Sequence, residues 1–218
     1  MKIITTYDGS HTVYHPGIDD HFHSIYGAVS ESMHVYINAG FNYHPSQNVN
    51  ILEVGFGTGL NVLLTMKQAW VQKRKVRYDS LDKFILPDEI TNTLNYSELT
   101  ENINGDWFRI IHSLSWNTDH TITDFFSLKK ILADIHETNF SRKYDIIYFD
   151  AFGPEKQPDM WTEEVCLKIY NAMNSGGVLT TYSSKGEVRR RLQNCGFVVE
   201  KLPGAHGKRE MMRCLMPA

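Results

Sequence analysis

The sequence predicts an α/β fold: a mostly parallel, doubly wound sheet with a small N-terminal appendage. Three observations carry this expectation. From Asn50 onward, short buried apolar runs alternate with amphipathic segments of helical period, the order that builds parallel βαβ units. A glycine loop, Gly55-Phe56-Gly57-Thr58-Gly59, joins the first of these runs to the first helix, and such strand-to-helix turns are where doubly wound sheets bind ligands. Aspartates stand at the ends of the later runs, and the carboxyl ends of parallel strands line the ligand crevice. The expected organisation is a Rossmann-like domain over residues 46–218, with residues 1–45 forming an appendage packed on it.

Taken in order, Lys2 to Tyr14 reads as a hairpin turning at Asp8-Gly9. Gly27 to Ala39 carries Val29, Met33, Tyr36 and Ile37 at helical spacing. Asn50 to Val54 is a buried strand, Leu60 to Lys73 an amphipathic helix and Val76 to Leu81 a second strand. Leu86 to Asp124 has a weaker pattern that accommodates several short helices. Phe126 to Leu132 alternates as a strand does, and Tyr144 to Phe149 is the strongest buried strand of the chain. A helix from Thr162 to Met173 is expected to stop at Ser175-Gly176-Gly177. The strand Val178 to Tyr182 follows, then a helix from Lys185 to Cys195 closed by Gly196. Phe197 to Leu202 and Glu210 to Met216 read as an antiparallel pair at one edge.

The chain has 218 residues, enough for one domain with a sizeable core. Cys166, Cys195 and Cys214 are well separated and read as reduced thiols of a cytoplasmic protein. No leader pattern and no apolar run of ~20 residues is present, so no membrane association is expected. Charge is uneven. Between Lys185 and Arg213 stand eight basic residues, Lys185, Arg189, Arg190, Arg191, Lys201, Lys208, Arg209 and Arg213, against Glu187, Glu200 and Glu210. With a net charge of −3 for the whole chain, the remainder carries −8. That excess fits either a polyanionic partner or the solvated faces of a helix and an edge strand.

The chemistry points to the glycine loop. Its G-x-G-x-G spacing differs from the G-x-G-x-x-G of dinucleotide binders, and no Lys-Ser or Lys-Thr pair follows, which excludes a P-loop. Glu53, just before the loop, suits a cationic or amino-acid ligand better than a pyrophosphate. These features favour a class I S-adenosylmethionine-dependent methyltransferase over a dehydrogenase, with Glu53, Gly55, Phe56, Gly57, Thr58 and Gly59 at the cofactor. Asp82, 23 positions beyond Gly59, has the placement to accept from ribose hydroxyls. Asp134 has that to accept from an adenine amine, with Lys83 and Ile135 as their neighbours. Either aspartate reads equally as a helix N-cap. Asp150, at the end of the fourth strand, sits where the reaction takes place in such folds. Beyond it, Phe152, Pro154 and Trp161 form a stiff aromatic loop for a base to stack on, or ordinary core. Tyr182 ends the next strand beside them. No metal is expected: the run Asp19-Asp20-His21-Phe22-His23 has ligand-type residues but lies in the appendage.

Four segments carry a resemblance to a known family: Glu53 to Asn61; Asp150-Ala151-Phe152-Gly153-Pro154-Glu155-Lys156-Gln157-Pro158-Asp159-Met160-Trp161-Thr162; Thr181 to Arg190; and Gly207 to Met211. From about Asp20 to Met212 the sequence resembles the methyltransferase domain of the MnmC family. The resemblance implies S-adenosyl-L-methionine as cofactor and tRNA as substrate. It implies methylation of the exocyclic amine of 5-aminomethyl-(2-thio)uridine at the wobble position, giving 5-methylaminomethyl-(2-thio)uridine. Asp150 would orient the amine, and Lys185, Arg189, Arg190, Lys208 and Arg209 would contact phosphates of the anticodon loop. Many members continue into an FAD-dependent oxidase, so a stand-alone form is expected here, linked to the enzymes that make aminomethyl-uridine. Asp82 stands where the family usually has Glu. Two rival readings are methylation of another amine-bearing small molecule or protein, and a non-catalytic RNA-binding module.

Overall fold

The computed structural model describes residues 1–100 and 106–217. The chain begins with a small antiparallel sheet, β1 (Lys2–Thr5), β2 (His11–His15) and β3 (Asp20–His21). β1 and β2 pair as the expected hairpin, Lys2 opposite Tyr14. Asp8 ties its turn by accepting from Thr6 Oγ1 (2.7 Å) and Ser10 N (3.0 Å). The same carboxylate accepts from Ser30 N at 2.8 Å, so the hairpin is anchored to helix α1 (Ala28–Ser32). α1 runs directly into a π-wound segment, Met33–Phe41, past the expected end at Ala39.

The large sheet has eight strands, β4 (Asn48–Val54), β5 (Lys75–Asp82), β6 (Asp119–Thr123), β7 (Phe126–Leu132), β8 (Tyr144–Phe149), β9 (Met173–Thr181), β10 (Val198–Pro203) and β11 (Glu210–Leu215). Their spatial order is β10-β11-β9-β8-β4-β5-β7-β6. β9, β8, β4, β5 and β7 are parallel neighbours. β6 and β11 run antiparallel to the strands beside them, and β10 pairs with β11 as expected. From β4 the chain winds outward through β5 to β7, then returns to place β8 on the other side of β4. That reversal leaves a crevice at the carboxyl ends of β4 and β8.

Helices α2 (Leu60–Gln72), α3 (Asp88–Thr91), α4 (Trp107–Ser113), α5 (Glu163–Asn171) and α6 (Gly186–Asn194) complete the fold. The period-2 alternation of the strands sorts their side chains between two cores. Ile51, Tyr78, Leu128, Ile146 and Tyr148 pack with α2, α4 and the π segment. Leu52, Val54, Ile147, Phe149 and Leu179 pack with α5 and α6. Among the described residues no helix is long and apolar enough to cross a membrane.

Two local expectations are corrected. α5 ends at Asn171 with Ala172 as its cap, so Ser175-Gly176-Gly177 is not its stop. These residues lie inside β9, because the edge pairing recruits them: Gly176 N donates to Met216 O and Met216 N to Gly177 O. The stretch Leu86 to Asp124 holds α3, a 3-10 turn at Asn95–Thr100 and α4, but also β6, which periodicity had not revealed. β6 is a half-exposed edge strand with little apolar content, so it has no buried face to mark it. Residues 101–105 of that stretch are outside the described residues.

Candidate active site

The carboxyl ends of β4, β5, β7 and β8 open into one cavity of about 490 Å³. The glycine loop forms its floor. Gly55 has φ +103°, and a Cβ there would overlap the Asp150 carbonyl, so only glycine lets β4 turn this close to the end of β8. Gly55, Phe56 and Gly57 line the cavity, and so do Asp82, Lys83, Asp134 and Ile135. Asp82 accepts from Gly57 N (3.0 Å) and Phe84 N (2.9 Å), which fixes the loop relative to β5. Burial raises its pKa. Asp134 accepts from His136 N and Lys83 Nζ, both at 2.9 Å. These bonds, His136 N first, hold its pKa below the usual carboxylate range.

The loop is also clamped from behind. Thr58 is fully buried and its Oγ1 lies 2.7 Å from His23 Nε2, while its carbonyl lies 3.1 Å from His112 Nε2. Burial pushes both imidazoles down to about 4, so both are neutral at physiological pH. Phe56 packs edge-on against His112 and Trp116, with Lys130 Nζ 5.6 Å from its ring. Thr58 therefore serves the loop's rigidity, and it is not part of the cavity lining. Gly59 begins α2 and is not part of the lining.

Glu53 does not reach the cavity either. It is fully buried, opposite Ser80 in the β4–β5 register, and accepts from Ser80 Oγ at 2.5 Å. Burial raises its pKa well above the usual range. The pleat explains the correction: Glu53 shares the face of Ile51, beneath α2, whereas Val54 points to the other side. The electrostatics of Glu53 couple it to Asn61 and Tyr78. Glu53 Oε1, Asn61 Oδ1 and Tyr78 Oη, all buried, have no hydrogen-bond partner among the described residues. Such unpartnered buried polar atoms are costly, and the three lie in one electrostatically coupled group.

Asn61 also reaches Asp150. Its Nδ2 donates to Asp150 Oδ2 at 2.8 Å, and Tyr36 Oη donates to Oδ1 at 2.5 Å. Tyr36 comes from the π segment, is 1% exposed, and packs on Tyr148. Asp150 lines the cavity, yet burial lifts its pKa to about 7 against the pull of these two donors. Glu31 faces the same end of the cavity. It accepts from Ser24 N (2.8 Å) and pairs with Lys208, whose Nζ stands 4.0 Å from the centre of the Tyr182 ring. Tyr182 donates to Ala151 O at 2.9 Å. Phe152 meets Phe22 edge-on at 5.1 Å and closes the wall.

Other expected substrate contacts are placed elsewhere. Trp161 is 1% exposed, packs on Phe149 and donates to Phe152 O at 2.7 Å; it braces the loop from the core and offers no face to a base. Pro154 is buried beside it in that loop. Lys185 pairs with Glu155 outside the cavity. Lys208 is turned into the cavity by Glu31 instead of standing free at the rim. Arg189 is half-buried, whereas Arg190 and Arg209 are exposed. Lys201 and Arg213 pair with Glu210 and Glu200, so much of the basic excess is spent within the fold. Among the described residues no group of three or more metal-ligating side chains is gathered.

Tyr36, Asn61, Glu31 and His23 are site residues that the sequence had not assigned. Asn61 stood inside the glycine-loop segment, and Tyr36 among the residues at helical spacing.

The donor set fits an adenosyl amino-acid ligand. The glycine loop leaves backbone exposed at the β4 turn, Asp82 and Asp134 keep acceptor capacity toward the cavity, and Phe84 and Ile85, 66% and 53% exposed, line it beside them.

A family model described as S-adenosyl-L-methionine-dependent methyltransferase matches residues 96–217. A tRNA 5-methylaminomethyl-2-thiouridine biosynthesis bifunctional protein MnmC of Leptospira interrogans is 33% identical over 208 residues, which is 89% of this chain and 32% of that protein. The chain thus spans about a third of the length of the curated relatives it matches. Among solved structures, MNMC2 from Aquifex aeolicus superposes with a TM-score of 0.80 at 26% identity, covering 100% of this chain and 70% of that one. A spermidine synthase from Thermotoga maritima, at 13% identity and TM-score 0.61, covers 95% of this chain and 68% of that one, and shares the fold.

Proposed function

The chain belongs to the family of S-adenosyl-L-methionine-dependent methyltransferases, and from that premise we propose that it methylates the exocyclic amine of 5-aminomethyl-(2-thio)uridine at the wobble position of tRNA. The observation that carries the reading is Asp150: a carboxylate held by Tyr36 and Asn61, at the cavity end farthest along β8, with a pKa of about 7. The names of the MnmC relatives support the substrate.

Bound S-adenosylmethionine supplies an electrophilic methyl group on a sulfonium sulfur. Gly55, Gly57, Asp82 and Asp134 would hold it, with Lys83 and Ile135 beside them. An alkylamine arrives mostly protonated at neutral pH and must release a proton to expose its lone pair. Asp150, with a pKa near the working pH, is matched to take that proton. Tyr36 and Asn61 occupy one side of each carboxylate oxygen and so aim its remaining lone pairs into the cavity. Alignment of the amine is the larger contribution, worth up to ~7–11 kcal/mol where the geometry is good. Glu31, Tyr182 and Lys208 complete the polar end of the cavity, and Phe152 and Phe22 form its apolar wall. Arg190 and Arg209 remain exposed for phosphates of an anticodon loop, a contact that weakens steeply with salt. A wobble base splayed from its loop is the form in which RNA offers a single nucleotide to such a cavity.

The test is incubation with methyl-labelled cofactor and tRNA from a strain lacking this methylation, followed by nucleoside mass analysis. Label in 5-methylaminomethyl-(2-thio)uridine is expected. Label in any other nucleoside, or none, overturns the reading.

A further inference from the structure

At the mouth of the cavity, three rings that none of the chemistry above uses stand in a ladder. Tyr7 meets Tyr26 edge-on, with centroids 5.3 Å apart and planes at 89°, and Tyr26 meets His206 at 5.7 Å and 75°. Tyr7 is 77% exposed, the most exposed of the large apolar side chains, and Tyr26 is 38% exposed. Ile25, 39% exposed, and Tyr26 line the cavity itself, so the ladder leads from the rim outward.

The ladder is built, not incidental. Gly207, at φ +84°, lies flat against the Tyr26 ring, and a Cβ at that position would overlap the ring carbons. Tyr7 N donates to Ile25 O at 3.0 Å, joining the hairpin turn to the same rim. Lys208 to Glu31 and His34 Nε2 to Pro203 O, the latter at 2.8 Å, tie the 204–209 loop to the appendage. An edge-to-face pair leaves one ring face open on its outer member. In soluble proteins a tyrosine exposed this far on a rigid support is available for contact.

We propose that Tyr7, Tyr26 and His206 form a stacking platform for a nucleotide adjacent to the one that enters the cavity. The proposal rests on the RNA reading given above and names a surface for it. Two considerations favour a single-stranded nucleic acid as the occupant. Base stacking on aromatic side chains needs exposed π faces and no particular sequence. The cation of the same loop, Arg209, is exposed, and among the described residues no carboxylate lies within ion-pair distance of it. The nearby anion, Asp8, is exposed, and its carboxylate is engaged by Ser10 N, Ser30 N and Ser30 Oγ within the hairpin and α1. A nucleotide held at the rim would fix the register of the strand, and the neighbouring base would then be the one offered to Asp150.

The test is a double-mutant cycle on binding. An anticodon stem-loop RNA carrying 5-aminomethyluridine at the wobble position is compared with the same RNA made abasic at each neighbouring position, against wild type, Tyr7→Ala and Tyr7→Phe. Loss of one stacked base should weaken binding by roughly fivefold to a hundredfold. Tyr7→Ala should show that loss on the intact RNA, Tyr7→Phe should keep most of the affinity, and the abasic substitution should cost Tyr7→Ala little more, because both changes remove one contact. Independent losses that simply multiply, or no loss in Tyr7→Ala, overturn the platform while leaving the RNA reading standing. Failure of the wild type to bind the intact stem-loop overturns the RNA reading and the platform with it.

Discussion

Replacing Asp150 by Asn should stabilise the protein at pH 8 while abolishing turnover. The magnitude follows from the site. In the unfolded chain this carboxyl titrates near its ordinary value of 3.8; in the folded protein burial lifts it to about 7. Between those values the folded state keeps a proton that the unfolded state has released, so stability falls as pH rises through this window. Above pH 7 both states are ionised and the full cost is in force. A shift of about 3 units corresponds to about 4 kcal/mol, a ceiling, because Asp150 faces an open cavity and water recovers part of it. We expect about half, ~2 kcal/mol. Asn removes the charge and keeps the packing: its carbonyl accepts from Asn61 Nδ2, and its amide donates to Tyr36 Oη, which rotates to accept. Urea unfolding of wild type and Asp150→Asn at pH 5 and pH 8 measures the difference directly. The variant should be more stable by ~2 kcal/mol at pH 8, or a melting point higher by roughly 4–8 °C, with a smaller difference at pH 5. Other buried acids, Glu53 among them, titrate in both proteins and cancel. An equal difference at the two pH values, or a variant less stable at pH 8, would refute the claim that this carboxylate is desolvated for catalysis.

Three further outcomes follow from the same geometry. The kcat/KM profile of the wild type should rise with pH through a limb near 7, since Asp150 must be ionised to take the amine proton; Tyr36→Phe, which removes a donor that lowers this pKa, should move the limb to higher pH, and an unmoved limb would assign it to another group. Glu53→Gln should retain near-wild-type turnover and cofactor affinity, because the amide still accepts from Ser80 and donates toward Asn61, whereas Glu53→Ala leaves buried partners unsatisfied and should cost about 1–3 kcal/mol of stability; loss of cofactor binding in a folded Glu53→Gln protein would restore Glu53 to the cofactor. Gly57→Val should abolish cofactor binding measured by calorimetry without unfolding the protein, since its side chain would meet Phe22 at the cavity floor, and a folded variant with unchanged affinity would remove the loop from the site.

Local patterns in the sequence made most of this architecture readable. The strand, glycine loop and helix from Asn50 to Lys73 are contiguous, and so is the run that ends at Asp150; each announces its role through its own neighbours. What was not readable depends on contacts between distant residues. Tyr36 meets Asp150 across 114 positions, and in the sequence its ring counted as one more apolar residue on a helix. Glu53 looked like a ligand contact because it precedes the loop, yet strand alternation already put it on the face of Ile51, beneath α2. Lys185 and Lys208 read as members of a free basic patch because their partners, Glu155 and Glu31, lie far away in the chain. Trp161 offered the same aromatic signal for a stacking wall or for core, and burial against Phe149 decides for core.

The central claim is that Asp150 serves an amine presented by a tRNA wobble uridine. Single-turnover methyl transfer to two otherwise identical tRNAs, one carrying 5-aminomethyluridine and one an unmodified wobble uridine, tests it most directly. The account predicts transfer to the aminomethyl tRNA alone, lost in a folded Asp150→Asn protein that still binds S-adenosylmethionine. Equal transfer to both tRNAs, or an Asp150→Asn protein that turns over at the wild-type rate, would contradict it.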